Sequence, residues 1–217
     1  MSTPYILHVY EHCPFCVKAR MIFGLKKIPY ERRIFLNDDV DGPVSMVGRK
    51  IVPILEENGR FMAESMDIVA HIDAIGSPVL TGPVRPEIAD WIHASAKPLY
   101  RLFLPRAASA PLPEFDTTSA RAGFIRRKEP GVGSFSALLE DGTAELAELN
   151  GHLERLAPMI RSPEAVNGTL STDDIHLFAQ LHSLSIIKGV RYPLEVEAYR
   201  QSMSELSNVG LFDGFAA

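Results

Sequence analysis

The sequence predicts an α/β N-terminal domain followed by an all-α C-terminal domain, and three observations carry that prediction. Over residues 5–36 the apolar pattern passes from strand to helix and back to strand. Asn58-Gly59 lies between two apolar runs, the signal of a β-hairpin. Beyond the Pro- and Gly-rich stretch at 76–85, strand patterns give way to helical ones. The chain accordingly divides into residues 1–75, a linker at 76–85, and residues 86–217.

Residues 5–10 form an apolar run that reads as the first strand. A helix follows over 17–27, with Val17, Met21 and Leu25 on one face. Pro14 suits its first position, where a missing N–H has no intrahelical partner. Ile28-Pro29 ends that helix and residues 30–36 read as a second strand. A strand–helix–strand unit this short favours a right-handed parallel crossover. Residues 37–43 are a loop by composition, and a short helix at 44–47 precedes Gly48. The hairpin strands are 51–55 and 61–63, which puts Pro53 inside a strand, where proline is normally unwelcome. Ser65 is expected as the N-cap of a helix over 66–73.

Past the linker, residues 86–104 read as one helix kinked or broken before Pro98. Its apolar and aromatic residues exceed one solvated face, so this helix, Trp91 included, is expected against the N-terminal domain near Cys13. Residues 105–113 form a proline-punctuated connection, and 117–128 and 135–156 are helical. Ser171 caps a helix reaching to about residue 188, with Asp174 three positions on completing a capping box. Pro193 starts a final helix to about residue 207.

Composition excludes several classes of function. The chain has 217 residues, 46% hydrophobic and 23% charged, which supports packed cores rather than disorder. Net charge is -5, and residues 1–75 hold 9 of the 22 basic and 10 of the 27 acidic residues, so neither part is a basic block for nucleic acid. No apolar stretch approaches the roughly 18–20 residues that span a bilayer. No secretory signal is visible at the N-terminus. With two cysteines, both in one motif, the chain is no disulfide scaffold, and the cytoplasm is the expected location.

That motif is Cys13-Pro14-Phe15-Cys16, set where the first strand hands over to a helix N-terminus. Free N–H groups and the helix dipole there stabilise a thiolate, and can lower a cysteine pKa from about 8.5 into the range of roughly 3.5–7.5. Lys18 and Arg20 add to that pull, and Glu11 acts against it. A structural disulfide across so short a loop constrains little of the unfolded chain. A zinc centre would need two more ligands from seven scattered histidines, and His12 abuts Cys13 too closely to close a tetrahedron with it. The spacing in a βαβ context reads as a redox pair, with no metal.

Cys-x-x-Cys at the start of the first helix, Val52-Pro53 entering a strand and Glu64-Ser65 opening a helix resemble the thioredoxin-like domain of glutaredoxins and glutathione S-transferases. The run from Glu11 to Lys26, with Leu36-Asn37-Asp38-Asp39, Met46-Val47-Gly48 and Val52-Pro53-Ile54-Leu55, is similar to the transferase-shaped type-2 glutaredoxins of bacteria. Leu80-Thr81-Gly82, Leu104-Pro105-Arg106 and Ala165-Val166-Asn167-Gly168 extend the likeness through nearly the whole chain. Two departures are Phe15, where tyrosine is the commoner residue, and Glu11, where small glutaredoxins often carry a lysine.

The resemblance implies a thioredoxin-like domain and a helical domain in a glutathione S-transferase-like architecture. It implies a cis Val52–Pro53 bond, and glutathione as co-substrate of a monomeric enzyme acting on glutathionylated or disulfide-bonded proteins. Cys13 is then the nucleophile, expected to be exposed, and Cys16 the resolving thiol. Phe15 and Pro53 are expected, with Cys13, among the residues that bind glutathione. Val52, beside Pro53, pairs with the glutathione backbone as an added strand. Ser65 takes the γ-glutamyl carboxylate at a helix N-terminus, and Glu64 faces the ammonium group. Lys50 or Arg49 meets the glycyl carboxylate. Two other readings stay open on sequence alone: a transferase conjugating glutathione to electrophiles, or a non-catalytic binding module. Cys16 has no task in either.

Overall fold

A computed structural model describes residues 4–217. The chain runs β1 (Tyr5–Val9), α1 (Pro14–Leu25), β2 (Glu31–Ile34), α2 (Asp41–Val47), β3 (Ile54–Glu57), β4 (Arg60–Ala63) and α3 (Ser65–Asp73). Six further helices follow: α4 (Pro86–Ser109), α5 (Thr118–Val132), α6 (Phe135–Glu140), α7 (Thr143–Leu156), α8 (Thr172–Leu184) and α9 (Leu194–Ser207). The sheet has the order β2-β1-β3-β4, with β1 parallel to β2 and antiparallel to β3, and β4 antiparallel to β3. This is a thioredoxin-like α/β domain joined to a helical domain.

Local signals explain most of the first domain. Pro14 occupies the first turn of α1 and Cys13 its N-cap, in extended backbone. The hairpin turns through Asn58 and Gly59, both at positive φ (51° and 76°), the tight turn that suits the twist of paired strands. Several expectations are corrected by tertiary context. Helix α2 begins at Asp41, three residues inside the expected loop, with Asp39 accepting the Gly42 N–H at 2.9 Å. Strand β3 starts at Ile54, so Pro53 lies ahead of the strand, and the Val52–Pro53 bond is cis. Ser65 is the first residue of α3 rather than its cap. Glu64 holds the cap position at φ 69°, and no side chain caps the helix.

The helical domain departs further. Helix α4 runs unbroken for 24 residues through both Pro98 and Pro105. Each interior proline costs about 3 kcal/mol, but Ile88, Trp91, Leu99, Leu102 and Phe103 are buried against α5 to α8, and that packing holds the helix together. The expected helix over 135–156 is two, because Asp141 leaves the helical path and its carboxylate accepts the Thr143 N–H at 3.1 Å, which starts α7. Helix α5 continues past Lys128 through Pro130 to Val132. The capping box at α8 is present: Ser171 Oγ accepts from the Asp173 N–H, and the Asp174 carboxylate accepts from the Ser171 N–H at 2.8 Å.

The two domains share one hydrophobic core. Helix α1 packs on α3 in its own domain and on α8 and α9 across the seam. Trp91 corrects its expected position: it faces into the helical bundle, 4% exposed, and its Nε1 donates to the His152 carbonyl at 2.7 Å. The opposite side of α4, with Ile92, Ala96 and Tyr100, borders the N-terminal domain at Pro14, Phe15 and Lys18. No helix among the described residues is long and apolar enough to cross a membrane.

Candidate active site

Helix α1 fixes the two cysteines unequally. Cys13, at the N-cap, has its sulfur near the first free N–H groups of the helix, and Cys16 lies one turn in, fully buried. The Cys16 thiol donates a hydrogen bond to the Cys13 sulfur, which is the main cause lowering the Cys13 thiol to about 7. Burial opposes this, while the His12 charge and the Cys16 and Phe15 N–H groups assist it. Burial pushes the Cys16 thiol well up, and the adjacent Cys13 adds to that. The Tyr10 N–H donates to the Cys16 sulfur at 3.5 Å. The pair is thus one thiol lowered to about 7 and one buried thiol behind it, held well up.

Carboxamidomethylation should therefore label Cys13 with a rate that is half-maximal near pH 7. Below that midpoint the thiolate is lost and the rate falls about tenfold per pH unit; above it the rate is flat. Peptide mapping should find Cys16 unlabelled until the protein unfolds. A midpoint near 9 would mean that the helix terminus and Cys16 do not stabilise the thiolate.

Cys13 is not exposed as the sequence leads one to expect: 9% of its surface is accessible. The cause lies in the helical domain. Tyr100, Phe103 and Leu104 of α4 and Phe124 of α5 close over it and form with Phe15 a cleft of about 370 Å³. A second cleft of about 350 Å³ opens on the other side of Cys13, lined by Tyr10, Asn37, Lys50, Val52 and Arg127. Phe15, 52% exposed, separates the first cleft from a third, which contains Lys18 and His176.

Cys13, Lys50 and Val52 therefore meet in one cavity. Lys50 Nζ donates to the Asn37 carbonyl at 2.7 Å, and the neighbouring Arg127 guanidinium binds the same carbonyl at 3.1 Å and the Asn37 side chain. No turn or loop hydrogen bond engages the Val52 backbone among the described residues. Pro53 is buried and immediately precedes Ile54, which pairs with Ala63 of β4. Glu64 and Ser65 do not line the cavity itself. Glu64 is exposed and paired with Arg49 at 2.5 Å, and Ser65 is buried at the start of α3.

Of the charges flanking the motif, Lys18 interacts favourably with the Cys13 thiolate as expected, whereas Glu11 and Arg20 act otherwise. Arg20, 5% exposed, is held by Glu11 at 2.9 Å, and Arg32 also reaches Glu11 at 3.1 Å, so Glu11 is neutralised and Arg20 serves it rather than Cys13. Lys18 stands 5.0 Å over the Phe15 ring and 2.9 Å from His176 Nδ1. Among the described residues no group of three or more metal-ligating side chains is assembled. Sequence reasoning missed the contribution of Phe124 and Arg127, and above all the partner of His12. That partner is Glu114, 102 residues away in a proline-rich connector, and no local pattern links the two.

A thioredoxin-like sheet, a Cys-x-x-Cys at the tip of α1, a cis-proline beside it and a helical lid define a glutathione-transferase-like thiol–disulfide oxidoreductase. The family model of the glutaredoxin 2 C-terminal domain matches residues 87–216, and that of the glutathione S-transferase N-terminal domain matches residues 7–78. Glutaredoxin 2 of Escherichia coli (strain K12) is 42% identical over 212 residues, 97% of this chain and 99% of that protein. The crystal structure of glutaredoxin 2 from Salmonella typhimurium in complex with glutathione superposes with a TM-score of 0.97 at 43% identity, over 100% of both chains. Glutathione transferase Omega 3C from Trametes versicolor, 15% identical with a TM-score of 0.58 over 97% of this chain and 86% of that one, shares the fold. The chain belongs to the glutaredoxin 2 family.

Proposed function

We propose that this chain, as a member of the glutaredoxin 2 family, reduces glutathione mixed disulfides and protein disulfides with glutathione as co-substrate, through Cys13 and Cys16. The observation that carries the reading is a thiol lowered to about 7 on the wall of a cavity that continues to Val52 and Lys50. Glutathione lies in that cavity as an added strand on the Val52 backbone, beside Pro53. Its glycyl carboxylate meets Lys50, since Arg49 is taken by Glu64. Its γ-glutamyl end reaches Ser65 at the first turn of α3, with Glu64 on the ammonium side. Phe15 borders the thiol on the far side.

The Cys13 thiolate attacks the glutathione sulfur of a mixed disulfide. The Cys13–glutathione S–S bond forms, the original S–S bond breaks, and the substrate leaves as a thiolate that takes a proton from water. A second glutathione thiolate then attacks the bound glutathione sulfur, releasing glutathione disulfide and restoring the Cys13 thiolate. With a protein disulfide, Cys13 forms the mixed disulfide and Cys16 attacks the Cys13 sulfur. The reduced protein leaves, and two glutathione molecules reduce the Cys13–Cys16 disulfide. Burial keeps Cys16 a thiol until Cys13 is engaged.

The protein targets are glutathionylated or disulfide-bonded proteins, and the enzyme works as a cytoplasmic monomer. Likeness to glutaredoxin 2 over 97% of the chain supports this. The functional division is residues 1–75 for redox chemistry, 76–85 as linker and 86–217 as the helical domain. It is supported by the end of α3 at Asp73 and the start of α4 at Pro86. Reduction of a glutathionylated peptide, measured beside conjugation of a chloronitrobenzene to glutathione, tests the reading. The first should be fast and the second near background; the opposite result would make the chain a conjugating transferase.

A further inference from the structure

Glu114 lies in the short turn Pro113–Phe115 between α4 and α5, and none of its surface is exposed. A buried carboxylate costs several kcal/mol unless it is paired, so its partners show what it is there for. One oxygen, Oε1, accepts the His12 N–H at 2.9 Å and lies 2.6 Å from His12 Nδ1. The other, Oε2, is buried with no partner among the described residues. The Glu114 carbonyl accepts the Asn37 N–H at 2.8 Å, which ties the turn to the far wall of the cavity as well.

His12 has little freedom. Its ring is 6% exposed, stacked on Tyr10 (5.7 Å) and Phe115 (5.1 Å), with Phe124 edge-on at 5.0 Å. It immediately precedes Cys13, and the two residues line both clefts that meet at the thiol. A carboxylate on Nδ1 fixes the ring's tautomer and orientation. The aromatic faces around it are suited to a cation as well.

We propose that Glu114 is a positioning residue that acts on Cys13 through His12, holding a positive imidazole beside the attacking sulfur. The groups that share this pocket are Tyr10 from β1, Cys13 and Cys16 from α1, Lys50 from the loop before Pro53, Tyr100 from α4, and Arg127 and Lys128 from α5. Of all these and Glu114, Glu114 is the one carboxylate, and it touches the ring. Arg127 and Lys50 are turned to Asn37. Burial pushes the Glu114 carboxyl up, but the His12 hydrogen bonds and charge bring it below the usual carboxylate range. The helical domain therefore does more than cover the thiol: it helps to ionise it.

The proposal rests on Cys13 as the attacking thiol, and its test needs no disulfide substrate, so it can fail separately from the reading above. The pH midpoint of Cys13 carboxamidomethylation is compared in the whole chain for wild type, E114Q, H12Q and the double variant. E114Q keeps the side chain's size and an acceptor oxygen but removes the charge. Its midpoint should rise by about one unit, which is a roughly tenfold slower reaction at pH 6, and the rate should recover at pH 9. Glutamate-to-aspartate at the same position should recover part of the shift. In H12Q the midpoint should rise similarly, and adding E114Q should change nothing more. A folded E114Q with the wild-type midpoint overturns the proposal, as does a full extra shift in the double variant, which would mean that Glu114 does not act through His12. If E114Q does not fold, H12Q carries the test, and an unchanged midpoint there overturns it.

Discussion

Cys13→Ser is expected to reduce the turnover of every disulfide substrate to background, whereas Cys16→Ser keeps deglutathionylation within a factor of a few of wild type. The asymmetry follows from where α1 puts the two sulfurs. Cys13 is at the meeting point of the two clefts and is the thiol lowered to about 7. Cys16 is fully buried, its sulfur engaged by Cys13 and the Tyr10 N–H. In Cys16→Ser the hydroxyl can still donate to the Cys13 sulfur, so the thiolate and the cavity survive, and external glutathione resolves the mixed disulfide. Reduction of an intramolecular protein disulfide should nevertheless collapse, because substrate release then lacks its internal attacker. Cys16→Ala, which also removes the donor, should raise the Cys13 alkylation midpoint where Cys16→Ser does not. Steady-state assays on a glutathionylated peptide and on a disulfide-bonded protein separate these outcomes. Activity surviving in Cys13→Ser but lost in Cys16→Ser would reverse the roles.

What could be read from the sequence was whatever short-range chemistry dictates. Cys13-Pro14 at a helix tip, Asn58-Gly59 in a tight hairpin and the Ser171–Asp174 capping box each involve residues within four positions, and each is present in the fold. The failures share a different cause. Helix α4 passes through Pro98 and Pro105 because four other helices pack on it, which no local rule foresees. Ser65 loses the cap position because the chain leaves β4 with Glu64 at positive φ. Cys13 is buried because α4 and α5 lie over it, and α4 turns Trp91 away and presents Tyr100 and Phe103 instead. The His12–Glu114 pair joins two ordinary-looking residues 102 positions apart. The dithiol was legible, but the lid that sets its environment was not.

That lid gives the second domain its part in the chemistry. Arg127 grips the Asn37 loop, the Glu114 carboxylate accepts from His12 while its carbonyl accepts the Asn37 N–H, and Phe124 contacts the His12 ring. Three residues of the helical domain, two from α5 and one from the turn before it, thus converge on the residues around Cys13. On the opposite side, α8 and α9 clamp α1 itself. The angle at which α1 meets the helical domain therefore sets both the depth of the cleft and the reach of the polar contacts.

Gly24→Ala tests that clamp and should be among the most destabilising single-methyl changes in the chain. Gly24 lies in the last turn of α1, against the end of α9. A Cβ built there would be 1.7 Å from the Ser207 carbonyl oxygen, 2.3 Å from its carbon and 2.8 Å from its Cα. All three are backbone atoms, so no side chain can rotate away. Ser207 is 1% exposed, its Oγ donates to the Met203 carbonyl at 2.6 Å, and Asn208 beyond it closes the helix at φ 52°. The whole α9 terminus must shift. Alanine favours a helix over glycine by about 1 kcal/mol, whereas overpacking typically costs about 1–3 kcal/mol and more where backbone must move. The clash wins, because one methyl must separate two packed helices. A net loss of about 2–3 kcal/mol corresponds to a fall in Tm of roughly 4–12 °C for a chain of this size. Thermal unfolding followed by circular dichroism measures it. Cys13 is eleven residues away, about 16 Å along the helix, so folded Gly24→Ala should keep its alkylation midpoint near 7. A Tm equal to or above that of wild type would mean that α1 and α9 are not in the close contact described.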